Sequence, residues 1–540
     1  MTHFALALHG VHRTIYRAGL LGLVGWITVI PAMSQPLPSG RISMTIDEAI
    51  QIALVKNYAI QQNRLDVKDA AAKVNEGWGQ LLPLVELNSS FTRSIQSINP
   101  FSGSQAGGFF STLGFVDWLS FNEQARTDSD PNSVPISLGE FFDRQQAGLE
   151  SAGVPVSSGG NPFNIPNQFR NTLSVTQKVF DGRAIWGASG AAKYLKPFNE
   201  RGLARQEQLL VNRVKQSFYD ALLADARAGV ASQSVVRTQA TLSEVGKRVA
   251  QGVTPKFQRL STEVELANLE TDAVRAHNAA AKATDALKLL LGIPVTQPVR
   301  LRGDLAAEDP NALVQISLEG AADLAERRRP DLEQARINIE LQKIQEKVAR
   351  AQFLPNLDAF ANISYIGNVP DNRLAVLSNP DDPFSFSTQK NGYFSKNYWD
   401  WDINVGFRLS WTIFNGLQTH RQIQQRKIAT SKAQLQYDEL SEQIRLDVDS
   451  ALRDLKAAQE RITSQKRNVS RAELNFSYAG TRLKEGVASP LDVREASDQL
   501  DQSRLNYLQA VHDLLVARSA FETAVGMPMA SSEHSKFTSN

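Results

Sequence analysis

Cysteine is absent from all 540 residues, which removes disulfides, thiol catalysis, Cys-ligated zinc and an N-terminal lipid-modified cysteine. Histidine is scarce. His3, His9 and His12 crowd the N-terminus, and His277, His420, His512 and His534 stand at separations that no metal motif uses. No Walker loop, dinucleotide fingerprint or Gly-x-Ser-x-Gly elbow occurs, and no catalytic residue, cofactor or metal is expected. An excess of one charge sign is missing too. The 58 basic and 56 acidic residues leave +2, and no basic run offers a footprint for nucleic acid. Beyond the N-terminus no segment approaches about 18 consecutive apolar residues, so a bilayer could be spanned only by β-strands.

The N-terminus reads as a signal peptide over 1–34. His12, Arg13 and Arg17 form a basic region, Leu20 to Ile30 an apolar core, and Ala32-Met33-Ser34 a small-x-small cleavage site before Gln35.

What is present is a duplication. Ile46-Asp47 and Leu82-Pro83 recur 272 residues later as Leu318-Glu319 and Leu354-Pro355. Phe180-Asp181-Gly182, Gly252-Val253 and Gly292-Ile293-Pro294 recur 234 residues later as Phe414-Asn415-Gly416, Gly486-Val487 and Gly526-Met527-Pro528. The first half therefore carries 38 extra residues between Pro83 and Phe180. Repeats of this size are whole structural halves. We divide the chain into a first repeat at 35–291, a linker at 292–315, a second repeat at 316–528 and a polar tail at 529–540.

Each half follows the order helix, strand, loop, strand, very long helix, turn, helix. A single helix is expected from about Thr45 to Gln80, stopped by Pro83. The next strand runs from Leu84, and its partner from Asn171 to Phe180. In the second half, Leu357 to Tyr365 alternates, and so does its partner: Ile403, Val405, Phe407, Leu409, Trp411 and Ile413 point one way, Asn404, Gly406, Arg408, Ser410 and Thr412 the other. Such a strand suits either an outer-membrane barrel, apolar to lipid and polar to water, or a soluble sandwich with its apolar face inward. Four strands are too few to close around a wet lumen, whereas three copies would supply twelve. The stretches 183–251 and 417–485 read as uninterrupted helices of roughly 100 Å. Tyr437, Leu440, Ile444, Val448, Leu452, Leu455, Ala458 and Ile462 form an apolar stripe on the second. Both end at glycine turns, Gly252-Val253 and Gly486-Val487, before return helices that begin at Pro255 and Pro490.

This ordered set resembles the TolC-like outer-membrane efflux protein family. The resemblance implies an α+β membrane protein: a trimeric, twelve-stranded transmembrane β-barrel, four strands per protomer, continuing into a long periplasmic α-helical tunnel. It implies a non-enzymatic exit duct in the outer membrane of a Gram-negative-type cell. An inner-membrane RND or ABC transporter would drive it through a periplasmic adaptor, or membrane fusion, protein. Ile403, Val405, Phe407, Leu409 and Trp411 would face outer-membrane lipid, and Gly252, Val253, Gly486 and Val487 would form adaptor-docking tips. Asp492 and Glu495, six and nine positions beyond Gly486, match acids that face the lumen at the closed tip in the family, where they would form a cation-selective constriction. At i and i+3 they share a helix face, and equally suit the start of a helix dipole. The sequence departs from the family in its long loop at about 97–170, which either folds over the barrel mouth or stays disordered. The alternative is a periplasmic or surface structural coiled-coil protein.

Overall fold

A computed structural model describes residues 42–95, 107–129, 133–154, 165–303, 305 and 316–527. The expected signal peptide, the C-terminal tail and most of the linker beyond Gly303 lie outside the described residues.

The chain opens with β1 (Ile42–Met44), α1 (Ile46–Lys56), α2 (Tyr58–Gly79) and β2 (Leu84–Arg93). Two helices of the first long loop follow, α3 (Gly107–Thr127) and α4 (Leu138–Ser151), then β3 (Asn167–Phe180). The first helical hairpin comprises α5 (Gly182–Gly190), α6 (Lys196–Ala250) and α7 (Lys256–Leu291), followed by β4 (Val299–Leu301). The second half repeats the plan with α8 (Leu318–Arg328), α9 (Pro330–Arg350) and β5 (Asn356–Val369). The outer pair β6 (Leu374–Asn379) and β7 (Asp382–Lys390) comes next, then β8 (Trp399–Ser410), α10 (Gln418–Lys484) and α11 (Pro490–Val525). The bounds of α1 and α8, and of α7 and α11, obey the 272- and 234-residue offsets, so the duplication seen in the sequence is a structural one.

The single helix expected over Thr45–Gln80 is in fact two. A Thr45–Glu48 capping box starts α1, but Asn57 adopts φ −61°, ψ 128° and its side-chain oxygen caps Ala59 and Ile60, starting α2. The second half breaks at the matching Arg329. Each return helix ends against the matching kink. Asn57 Nδ2 donates to the Leu290 carbonyl at 2.8 Å, and Gly292 (φ +70°) and Gly526 (φ +73°) close α7 and α11 in the left-handed region. A Cβ on Gly292 would strike the Lys56 carbonyl, and one on Gly526 would lie 3.0–3.2 Å from the Arg328–Arg329 backbone.

The stretch expected as one uninterrupted helix at 183–251 contains Pro197, which can neither donate a ladder hydrogen bond nor admit the carbonyl one turn back. The chain absorbs it with a π-helical turn at Ala191–Leu195, which lets α5 run on into α6. No such break interrupts the 67 residues of α10, about 100 Å of helix. Its stripe packs as the spacing requires: Ile444, Val448, Leu452, Leu455, Ala458 and Ile462 are buried. They join Phe218, Leu287, Leu291 and Phe521 in one core where the two hairpins meet α1 and α8. Beside it β1 and β4 pair in parallel, tying the start of the described chain to the segment after the first hairpin.

Strands β2, β3, β5 and β8 form one antiparallel sheet in that order. The expected strand end at Ile413 is corrected to Ser410. Ser410 pairs with Asn356, and the next partner in register would be Pro355, which has no N–H to offer the ladder. The described parts of the two outer loops pack together. Phe121 of α3, Phe141 of α4 and Phe384 of β7 meet with ring centroids 5.1–5.7 Å apart, and Thr388 Oγ1 donates to the Ala152 carbonyl at 3.2 Å.

Candidate functional site

The sheet sorts its residues by row. One face carries Leu87, Leu173, Ile363 and Ile403 side by side, then Val85, Val175, Ala361 and Val405, then Gln177, Ala359 and Phe407. The intervening rows face the other way: Glu86, Ser174, Asn362 and Asn404, then Asn88, Thr172, Ser364 and Asp402. Polar neighbours bond across them, Thr172 to Ser364 at 3.0 Å and Asn362 to Asn404 at 3.0 Å. On β8 the predicted residues Ile403, Val405, Phe407 and Leu409 are all exposed, Phe407 at 75%. Trp411 lies just past the strand, exposed, its Nε1 donating to the Phe353 carbonyl at 3.0 Å.

This geometry overturns the sandwich. The other sheets among the described residues are the pairs β1–β4 and β6–β7, and the central residues of β8 are exposed on both faces, so no second layer covers the apolar side. Both edge strands, β2 and β8, also lack an outer partner within the described protomer. Long unpaired edges bordering an apolar face demand pairing elsewhere.

Aromatic rings collect at the outer end of the apolar face. Phe91 stacks on Phe169 (4.6 Å), Phe169 on Trp399 (5.5 Å) and Trp399 on Tyr365 (4.9 Å), with Trp401 4.7 Å beyond. Trp411 marks the opposite end. Ten residues at about 3.3 Å separate Trp401 from Trp411 by roughly 33 Å along the chain, which a tilt of about 40°, usual for transmembrane strands, would reduce to about 25 Å along a membrane normal, the height of an outer-membrane lipid band.

At the far end of the helices the two turns are copies. Gly252 (φ +76°) and Gly486 (φ +81°) sit in left-handed conformation, and Val253 and Val487 are exposed. The turns touch: Arg248 Nη2 donates to the Lys484 carbonyl at 3.2 Å. Asp492 and Glu495 are exposed one turn inside the second tip. Ser489 and Asp492 form a capping box, in which the Ser489 backbone N–H donates to Asp492 Oδ2 at 2.7 Å. The hydrogen bonds from the Ser489 backbone and hydroxyl hold the Asp492 carboxyl below its ordinary value. Asp492 thus fulfils the helix-start role, and its side chain stays exposed.

Three features went unread in the sequence. Asp498 continues the Asp492–Glu495 series at the same spacing, and its carboxyl is pushed up by burial and by Glu265 across the hairpins. Arg237 of α6 pairs with Asp501 of α11 and donates to Ser497 Oγ at 3.3 Å, a cross-hairpin tie just behind the acids. At the second-half kink Arg329, 4% exposed at its side chain, binds Asp331 at 2.6 Å and Asp447 at 3.0 Å, while Arg205 binds Asp331 at 3.2 Å. Burial opposes the Asp331 charge, but the Arg329 hydrogen bonds and the two guanidinium charges outweigh it and hold its carboxyl below the ordinary value. The acid spacing at 498 was available as a signal; the partners in α6, α7 and α10 were not, because they come from distant sequence.

No described helix is long and apolar enough to cross a bilayer, and the described residues hold no His, Cys, Asp and Glu cluster suited to a metal.

The model of the family described as "Outer membrane efflux protein" matches residues 136–293 and 321–527. The outer membrane efflux protein BepC of Brucella suis is 28% identical over 123 residues, 23% of this chain and 27% of BepC. The cation efflux system protein CusC of Escherichia coli is 22% identical over 316 residues, 57% of this chain and 62% of CusC. Each sequence match thus spans less than two thirds of the relative's own length. The CmeC outer membrane channel of Campylobacter jejuni has a similar fold, with a TM-score of 0.64 at 14% identity over 91% of this chain and 88% of that one. With its duplicated strand pairs, its long hairpins and about two thirds of its length matched, the chain belongs to the outer membrane efflux protein family.

Proposed function

We propose that the chain is one protomer of a trimeric export duct, a passive, non-enzymatic channel of the outer membrane that extends into the periplasm. The observation that carries this reading is the single-layer sheet, apolar on one face, polar on the other and unpaired at both edges. Joining β8 of one copy to β2 of the next closes twelve strands, which puts the Ile403–Leu409 face in lipid and the Asn404–Asp402 face around water. The hairpins then line up as a periplasmic tunnel of about 100 Å.

Energy comes from an inner-membrane transporter of the RND or ABC class, in keeping with a sequence that carries no Walker loop. A periplasmic adaptor, or membrane fusion, protein links the two, and its docking end is the paired turns at Gly252-Val253 and Gly486-Val487. These tips stand farthest from the lipid face and expose an apolar side chain each. Three copies of Asp492 and Glu495 bring six carboxylates around one axis, a cation-attracting constriction. The duct itself selects little, and the choice of substrate lies with the pump.

A heat-modifiable trimer in outer-membrane fractions, with ion conductance in planar bilayers, is the expected result. A monomer recovered in the soluble periplasm would reject the reading.

A further inference from the structure

The segment 391–398 between β7 and β8 folds back onto the sheet instead of projecting from it. Ser395 N–H donates to the Gly392 carbonyl and Tyr398 N–H to the Ser395 carbonyl, each at 3.0 Å. The Tyr393 carbonyl accepts from Trp399 Nε1 at 2.9 Å. Trp399 lies on the apolar face, in line with Trp401 and Ile403, and rests on Gly367, where any Cβ would meet the indole at 2.7 Å. Tyr393 meets Phe169 at 5.8 Å and Phe394 meets Trp399 at 5.5 Å. The loop buries Trp399 yet leaves Phe394 75% exposed, continuous with exposed Phe91 and Trp401 and next to exposed Lys396.

The same face holds a clamp. Arg93 donates to both carboxylate oxygens of Asp371 at 3.2 Å, and Asn167 Nδ2 donates to Asp371 Oδ1 at 2.8 Å. The entry to the β6–β7 pair is thereby fastened on the side that faces away from the polar rows.

We propose that this loop is an interfacial anchor, which sets Phe394 in the headgroup–acyl boundary of the outer leaflet and moors the outer insertion to the membrane surface. An exposed ring continuous with the lipid face, at the level of the outer aromatic row and flanked by a lysine, has the chemistry of a bilayer interface. The inference rests on the barrel reading above.

A chain without cysteine accepts single labels directly. Nitroxide is attached to Phe394→Cys and Lys396→Cys in the full-length protein in lipid vesicles, with Val405→Cys as the lipid reference and Asn404→Cys as the lumen reference. Collisions with oxygen and with a water-soluble nickel chelate are then compared. The label at 394 should favour oxygen but read shallower than 405, the label at 396 should lie between 394 and 404, and 404 should be nickel-dominant. Nickel dominance at both 394 and 396, with the references behaving as stated, would place the loop in water and overturn the anchor. Shielding of 394 from both reagents would assign the ring to a neighbouring copy and overturn it equally. If Phe394→Cys fails to assemble, an intermediate 396 supports the anchor and a 396 indistinguishable from 404 rejects it. Were 405 and 404 alike, the barrel reading itself would fail, and the anchor with it.

Discussion

Replacing Phe407 with Arg sets a cation in the middle of the proposed lipid band. Phe407 is six residues from Trp401 and four from Trp411. At about 3.3 Å per residue and a tilt of about 40°, it lies roughly 15 Å from one aromatic level and 10 Å from the other. An arginine near the midplane costs about 2 to 4 kcal/mol, so three copies cost about 6 to 12 kcal/mol. Its row neighbours Ala359 and Gln177 carry no compensating charge. That sum is comparable to the whole stability of a typical domain, about 5 to 15 kcal/mol. Asn404→Arg, on the opposite face of the same strand, puts the cation in water and forfeits only the 3.0 Å bond with Asn362, about 1 kcal/mol. Semi-native gels of outer-membrane fractions should therefore show the trimer for Asn404→Arg and little or none for Phe407→Arg. Equal yields from the two variants, whether both normal or both lost, would refute the assignment of faces.

Gly292→Ala and Gly526→Ala each force a Cβ into the left-handed region at about 1 to 2 kcal/mol, but only the first drives it into a carbonyl oxygen. The denaturation midpoint should fall further for Gly292→Ala. Arg329→Ala leaves Asp331 to Arg205 alone and Asp447 to Gln443 and solvent, and should cost about 1.5 to 3 kcal/mol in a urea titration. Because the folded Asp331 carboxyl sits below its ordinary value, its stabilisation is complete above the usual carboxylate range and disappears as pH falls through the lowered value. Thermal melts across an acid titration should therefore show a steeper loss for wild type than for Asp331→Asn. Replacing Asp492 and Glu495 together with Ala should reduce cation preference and relieve block by divalent ions in planar bilayers while trimers still form. Photocrosslinkers at Val253 and Val487 should capture a periplasmic adaptor, and capture of surface proteins alone would reverse the proposed orientation.

The duplication, the glycine turns and the alternating strands were legible in the sequence because each depends on local chemistry. Gly252 and Gly486 are needed where the backbone turns left-handed, a period of two writes one face of β8, and a period near 3.6 writes the buried stripe of α10. Local patterning also explains the errors. The single-helix expectation passed over two local stop signals: Asn57 is a preferred cap whose side chain starts α2, and Arg329 stands before Pro330, which pushes the preceding residue out of the helical region. Pro197 was tolerable only because α5 and α6 could share a π-turn. What the sequence alone could not decide was the direction of the apolar strand face, since alternation is the same for a sandwich and a barrel. Tertiary structure decided it by leaving that face uncovered and both sheet edges unpaired. It also brought Arg329 to Asp447, Arg237 to Asp501 and Phe394 to Trp399. The first two pairs lie 118 and 264 residues apart, and contacts over such separations depend on how the helices pack, which no local pattern encodes.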